Sequence, residues 1–352
     1  MKFKPTNQLR FSVVIVVLML LLVVIGCDSA QKRTDKGIIY EQVAATAPCP
    51  WSPRYGHTTA AFKDRIWVLG GTDTNLRKAD VLFNLKSDVW SSADGVNWTL
   101  ATAAAPWAGR FLHNSLVFDN KIWVFGGLTR YAPNPTKKQK VNANDVWCSE
   151  DGVNWTQITE AADWEARHVF TSVVHNNRMW VIGGAGKEIY NDVWSSEDGV
   201  NWTKAEGCTE RFEPRTNHTS VSFKGKIWLF GGLAHIRGDL KNKYPAGDVW
   251  SSADGVNWKQ VTVMAPWSTR EFAGVVVYRD ELWLTGGRVD KLRGIWANDM
   301  WHSPDGIKWI KEQASIWPPG LLMPVTFGDS VWILGGRRGK ENLNDVWRFS
   351  WR

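Results

Sequence analysis

Cysteine is scarce in this sequence, and its spacing argues against the usual cysteine-based sites. Four cysteines occur among 352 residues, with no Cys-x-x-Cys pair and no His-x-x-x-His spacing. If Cys27 is modified, as argued below, an odd number remains, which argues against a disulfide framework. The missing ligand spacing argues against structural zinc. The sequence therefore predicts no metal site and no cofactor.

A large excess of one charge is also lacking. The chain has 42 Lys and Arg against 35 Asp and Glu, a net charge of +7. Three of the positive charges precede residue 27, so 39 against 35 remain beyond it, a net charge of +4. That small and dispersed charge argues against a nucleic-acid partner.

The N-terminal residues predict an export signal. Three basic residues precede an uncharged apolar run at 11–25, which is too short for a spanning helix of about 20 residues. The run ends in Val24-Ile25-Gly26-Cys27, which resembles the lipobox of bacterial lipoproteins. The resemblance implies a signal peptide at 1–26, lipidation of Cys27 and a membrane anchor at the cell envelope, with a polar tether at 27–37. An uncleaved anchor or an ordinary secretory signal are the alternatives.

The rest of the chain repeats itself six times. Each copy has an apolar run with a tryptophan, and the run ends in two glycines, which indicates a strand followed by a turn. The glycine pairs are Gly70-Gly71, Gly126-Gly127, Gly183-Gly184, Gly231-Gly232, Gly286-Gly287 and Gly335-Gly336.

A second element follows each glycine pair, namely Asp, an apolar residue and Trp. These elements begin at Asp88, Asp145, Asp192, Asp248, Asp299 and Asp345. In five copies an Asp-Gly turn comes next, as in Ser92–Trp98, and this dipeptide is typical of a hairpin. Each complete copy thus supplies four strands, and the six glycine pairs predict a propeller of six blades.

The sixth copy lacks its outer strand. Ten residues beyond Asp345 lies past Arg352, so we expect residues 38–43 to supply that strand by pairing with Asp345–Phe349. Tyr40 then stands where the other blades have a tryptophan. Closure of this kind removes the exposed sheet edge.

The glycine pairs, the tryptophan before them and the Asp-aromatic strand resemble the kelch family over residues 38–352. The resemblance implies an all-β fold, a six-bladed β-propeller of kelch type, which we expect to be monomeric. A more distant resemblance is to propellers of the sialic acid mutarotase type.

Two residue types recur in the segments that join one blade to the next, where the channel mouth is expected. The arginines, sixteen residues before each glycine pair, are Arg54, Arg110, Arg167, Arg215 and Arg270; Pro319 takes this place in blade 6. The tryptophans are Trp51, Trp107, Trp164 and Trp267. Guanidinium groups bind carboxylate, sulfate or phosphate, and indoles stack on sugars, so both sets are candidate ligand-binding residues. The alternative is that residues repeated in every blade hold the frame together, as we expect for His57, His113 and His218.

The sequence favours a binding or scaffolding module at the cell envelope, which recognises a glycan or protein partner on the face with the variable loops. The alternative is a cofactor-free mutarotase or epimerase of acidic sugars such as sialic acid. Its candidate acid/base groups are Glu165, Glu213 and Glu271, which are otherwise ordinary surface residues.

Overall fold

The computed structural model of the protein describes nine stretches of the chain, all built from strands and turns. They are residues 32–33, 37–43, 49–74, 84–130, 140–208, 210–236, 242–290, 292–312 and 319–351. None of these stretches forms a helix long and apolar enough to cross a lipid bilayer. The predicted signal peptide and Cys27 lie outside the described residues.

The described residues form six antiparallel sheets of four main strands each, which confirms the predicted all-β propeller. The first, innermost strands are Thr58–Phe62, Asn114–Phe118, Thr171–His175, Thr219–Phe223, Gly274–Tyr278 and Pro324–Thr326. The second strands are Arg65–Leu69, Lys121–Phe125, Arg178–Ala185, Lys226–His235, Glu281–Thr285 and Val331–Arg338. The third strands are Val89–Ser92, Val146–Ser149, Ile189–Ser196, Lys243–Ser252, Met300–Ser303 and Glu341–Trp351. The fourth, outermost strands are Trp98–Thr102, Thr156–Thr159, Thr203–Lys204, Lys259–Thr262, Ile310–Lys311 and, for blade 6, Ile38–Gln42.

Short additional strands lie outside this pattern. Lys32–Arg33 pairs with the outer strand of blade 6. The others lie in the links between blades or between second and third strands: Arg110–Phe111, Leu128–Arg130, Lys140–Asn142, Arg215–Thr216, Arg288–Asp290 and Ile295–Trp296. We call the face that carries both kinds of link the loop face.

The N-terminal strand completes blade 6 with the predicted pairing. Tyr40 pairs with Phe349, and Gln42 pairs with Trp347. The Tyr40–Phe349 pair has the same register as the Trp98–Ser92 pair in blade 1. Tyr40 therefore takes the tryptophan position. The pairing runs on to Trp351, two residues beyond the expected segment, because the last strand continues that far. The inner strand of blade 6 also contacts that of blade 1.

The core lies between adjacent blades. The second-strand tryptophan of one blade packs beneath the Asp-Gly turn of the next, and Trp67 lies below Gly152 in this way. Gly152 has a φ of 75°, and a Cβ there would come within 2.2 Å of the Trp67 ring. Blade 6 has no such turn, so Trp283 packs against Trp351 instead, with ring centroids 5.9 Å apart. Tryptophan and glycine together thus set the spacing of the blades.

Candidate functional site

The five repeat arginines lie inside the blades. Each side chain is at most 1% exposed, and its Nη atoms form a forked pair with the Asp of the Asp-x-Trp element in the same blade, at 2.6–2.9 Å. The pairs are Arg54–Asp88, Arg110–Asp145, Arg167–Asp192, Arg215–Asp248 and Arg270–Asp299.

The other guanidinium N–H groups are also used. Nη1 of Arg54 donates to the carbonyl of Gly70 at 3.0 Å, Nε donates to the carbonyl of Ser52 at 3.1 Å, and Nη2 donates to Ser52 Oγ at 3.2 Å. Burial alone would raise the pKa of Asp88, but the hydrogen bonds and charge of Arg54 lower it. These contacts correct the expected role of the arginine set. The guanidinium groups attach the segment that enters each blade to the sheet of that blade, and they do not face a ligand.

The repeat tryptophans are equally enclosed. Trp51, Trp107, Trp164 and Trp267 are at most 1% exposed. Each ring contacts the arginine of its own blade, with the guanidinium carbon 5.6–6.0 Å from the ring centroid. Each also meets edge-on, at 5.8–6.1 Å, the tryptophan at or directly before the start of its blade's outer strand. No ring face is therefore open for a sugar, which corrects the stacking role predicted for these four residues.

The repeated histidines join neighbouring blades. Nε2 of His57 lies 2.9 Å from the carbonyl oxygen of Leu334, and Nε2 of His218 lies 3.2 Å from that of Ile182. Burial, assisted by the adjacent arginine, lowers the pKa of both histidines to about 3. They are neutral at physiological pH.

The three candidate glutamates lie on successive blades in different surroundings. Glu165 is exposed and pairs with Lys187 at 3.1 Å. Glu213 is partly buried at the entry to blade 4. Glu271 is buried, with Oε1 accepting from Arg288 at 2.7 Å and Oε2 accepting from Asn217 at 2.7 Å. Since Asn217 lines the channel, Glu271 is next to the channel mouth.

The central channel holds a cavity of about 240 Å³, lined by residues at the start of the inner strands, Thr59 and Ser115 among them. Its rim is a chain of backbone hydrogen bonds that the sequence did not reveal. In each bond, the backbone N–H of one rim residue donates to the carbonyl of the rim residue before it. The bonds are Leu112 to Gly56 at 2.7 Å, Val169 to Leu112 at 3.2 Å, Asn217 to Val169 at 3.2 Å and Phe272 to Asn217 at 2.7 Å. The five rim residues are Gly56, Leu112, Val169, Asn217 and Phe272, and all have positive φ.

Positive φ is strained for bulky and β-branched side chains such as those of Val169 and Phe272. The interblade hydrogen bonds hold these residues in that conformation. The carbonyls of Gly56, Leu112, Val169 and Asn217 are directed around the ring, each toward the next rim residue. The rim positions share no residue type, but each lies two residues after the repeat arginine of its blade.

A patch of exposed apolar side chains lies on the loop face of blades 4 and 5. Among the described residues, every large apolar side chain exposed on this face belongs to these two blades. They are Ile236, Tyr244, Val263, Met264, Leu292 and Ile295, which we call the blade 4–5 patch. Leu292, at the tip of the blade 5 link, is 99% exposed. The other exposed apolar residues lie in the Asp-Gly turns on the opposite face or on outer strands.

The described residues contain no group of three His, Cys, Asp or Glu side chains that could hold a metal ion. Cys49, Cys148 and Cys208 are free thiols.

Comparison with known proteins gives a family match and several relatives. The model of the KLHDC2/KLHL20/DRC7 Kelch-repeats domain matches residues 39–232. The chain is 31% identical over 188 residues to the flagellar outer arm dynein alpha chain of Chlamydomonas reinhardtii, covering 50% of this chain and 4% of that protein. It is 22% identical over 334 residues to the host cell factor homolog hcf-1 of Caenorhabditis elegans, and the match covers 88% of this chain and 35% of that protein. It is 27% identical over 173 residues to the Rab9 effector protein with kelch motifs of Gallus gallus, and the match covers 47% of this chain and 44% of that protein. The chain therefore spans less than half the length of each of these relatives.

Proposed function

Because this chain belongs to the kelch-repeat family, we propose that it is a binding module that docks a protein partner on its loop face. The observation that carries the proposal is the blade 4–5 patch. Exposed apolar side chains that gather in the links of two adjacent blades on one face are typical of an interaction site. One relative is named an effector of Rab9, which fits a module that acts by binding another protein.

The chemistry of the patch favours a partner with apolar side chains and acidic neighbours. Lys243 and Arg293 are exposed beside the apolar residues. The link Val263–Met264 is held against blade 4, because the backbone N–H of Ala265 donates to the carbonyl of Gly247 at 2.8 Å. Aliphatic side chains with a basic border match an amphipathic acidic segment. A glycan partner has less support, because the four repeat tryptophans that would stack on sugar rings are buried.

The isomerase alternative also has less support. Glu271 lies beside the channel mouth, but both of its carboxylate oxygens already accept hydrogen bonds from Arg288 and Asn217. A general acid or base needs an oxygen within reach of the substrate proton.

We place the module at the cell envelope, exported by residues 1–26 and anchored through a lipid on Cys27. A Cys27→Ser variant tests the anchor. It should leave the membrane fraction and lose incorporation of labelled palmitate. Retention of both would overturn the anchor while leaving the loop-face proposal intact.

Site-directed photocrosslinking tests the docking surface. A photoreactive residue at Leu292 should give a discrete protein adduct in cells, and Ile236→Asp in the same chain should remove it. Val153 is the matched control, because it is 45% exposed on the opposite face. Equal adducts from both positions, or an adduct that survives Ile236→Asp, would contradict the proposal. An adduct that a glycosidase releases would indicate a glycan.

A further inference from the structure

Blade 6 departs from the other blades at the arginine position. In blades 1 to 5 the arginine donates to the Asp of the Asp-x-Trp element and to the carbonyl of the first glycine in the pair. Pro319 takes this position in blade 6, whereas the Asp (Asp345) and the glycine (Gly335) are kept. Blade 6 thus has the acceptors of the arginine without the arginine.

The carboxylate of Asp345 has the orientation found in the other blades. The indole Nε1 of Trp347 donates to its Oδ2 at 2.7 Å, and Trp90 donates in the same way to Asp88 at 2.8 Å. In blade 1 the guanidinium of Arg54 then donates to Oδ1 at 2.6 Å. Across the described residues, no side-chain donor reaches Oδ1 of Asp345.

Nearby cations are directed elsewhere. Arg338 donates to Glu341 at 2.6 Å. Arg337 donates through Nε to the carbonyl of Gly339, and its guanidinium lies over the Tyr55 ring, 4.7 Å from the centroid. Burial raises the pKa of Asp345, whereas the pKa of Asp88 is lowered by its arginine. The carboxylate of blade 6 is therefore incompletely compensated.

We infer that Asp345 Oδ1 and the Gly335 carbonyl form a binding site for a guanidinium group from another molecule, namely an arginine side chain of a polypeptide. Five internal copies show which cation these acceptors fit, because the same pair holds a guanidinium in each of them. The planar fork of arginine matches the carboxylate, and a lysine ammonium would not reproduce both contacts. The inference goes beyond the docking proposal, since it concerns a different blade and a different chemistry.

Ethylguanidinium, which mimics the end of an arginine side chain, is a suitable probe. The indole N–H signal of Trp347 in a ¹H–¹⁵N spectrum of the full chain reports on Asp345, and a Trp347→Phe spectrum assigns it. We expect a saturable shift of this signal with an affinity on the order of 1–100 mM, because one ion pair carries the binding. Ethylurea, which is neutral, should produce no shift, and ethylammonium should produce a weaker one.

Trp301 supplies the internal control, because its indole donates to Asp299, which Arg270 already occupies. Its signal should not respond to the probe. Pro319→Arg should abolish the Trp347 response and lower the pKa of Asp345, because the chain then provides its own guanidinium. Asp345→Asn should abolish the response without changing the link.

Three outcomes would overturn the inference: an unchanged Trp347 signal, an equal response at Trp301, or a response that persists in Asp345→Asn. Each of these leaves the blade 4–5 patch untouched. Failure of the photocrosslinking experiment would likewise leave the guanidinium site standing.

Discussion

Replacing Arg110 by methionine should destabilise the propeller by about 3 kcal/mol, because a buried ion pair loses one partner. Arg110 is fully buried, and the change removes its forked pair with Asp145 and its hydrogen bonds to the carbonyls of Gly126 and Ala108. Of the side-chain donors in the described stretches, the indole of Trp147 is then the one that still reaches the carboxylate. Breaking such pairs costs about 3–5 kcal/mol. We expect the lower end, since the Asp145 side chain is 17% exposed and can regain some hydration.

The matched control is Arg178→Met on the second strand of blade 3. Arg178 pairs with Glu197, but both side chains are well exposed, and an exposed pair contributes about 0–1 kcal/mol. Urea unfolding followed by tryptophan fluorescence measures both variants. The midpoint should fall much further for Arg110→Met, with an unchanged dependence on urea concentration.

The double variant Arg110→Met with Asp145→Leu separates the two parts of the effect. Removing both charges removes the uncompensated carboxylate, so a large part of the lost stability should return. A single variant that costs less than about 1 kcal/mol would refute a framework role for the arginine set. A double variant as unstable as the sum of its single changes would show that Asp145 was not left uncompensated.

Three further predictions concern the blade contacts. Gly152→Ala should lower the free energy of unfolding by at least about 1 kcal/mol more than Gly225→Ala. Both glycines have positive φ, but an added methyl group meets a neighbouring residue only at Gly152. Urea unfolding measures both variants, and equal losses of stability would exclude a clash with the Trp67 indole. The free energy of unfolding should fall as the pH drops from about 6.5, because unfolded histidine binds protons there while the folded pKa of His57 and His218 is about 3. His218→Gln should reduce that slope above about pH 4.5, before carboxylates titrate, and an unchanged slope would contradict this cause. Deletion of residues 38–43 should lower the melting temperature of the whole ring, and a truncated chain that melts within a few degrees of the full one would mean that this strand does not close it.

The fold could be predicted because its determinants are local and repeated. A glycine pair after a tryptophan strand marks each blade within a few residues, and the register of Tyr40 follows from aligning the last copy with the others. The roles of the arginines could not be predicted in the same way. Arg54 and its partner Asp88 are 34 residues apart, and Arg167 and Asp192 are 25 apart. Loops of different length separate them, so the spacing does not show that they meet.

The loop-face patch was missed for a different reason. Leu292 and Ile295 are ordinary apolar residues in sequence, and only the short hairpin of blade 5 shows that they point away from the core. Glu271 was named as a candidate, but its buried pair with Arg288 depends on a link that folds back over the blade entry.

The register that closes blade 6 also determines how the ring responds to mechanical force. Ile38 lies opposite Trp351 in an antiparallel pair, so the closing strand begins at the end of the sheet where the last strand finishes. Tension applied between Ile38 and Trp351 therefore acts across the two strands and separates their hydrogen bonds one after another. Strands pulled along their length would instead have to break the same bonds together. The propeller consequently opens under a smaller pulling force at blade 6 than a ring closed in the opposite direction would.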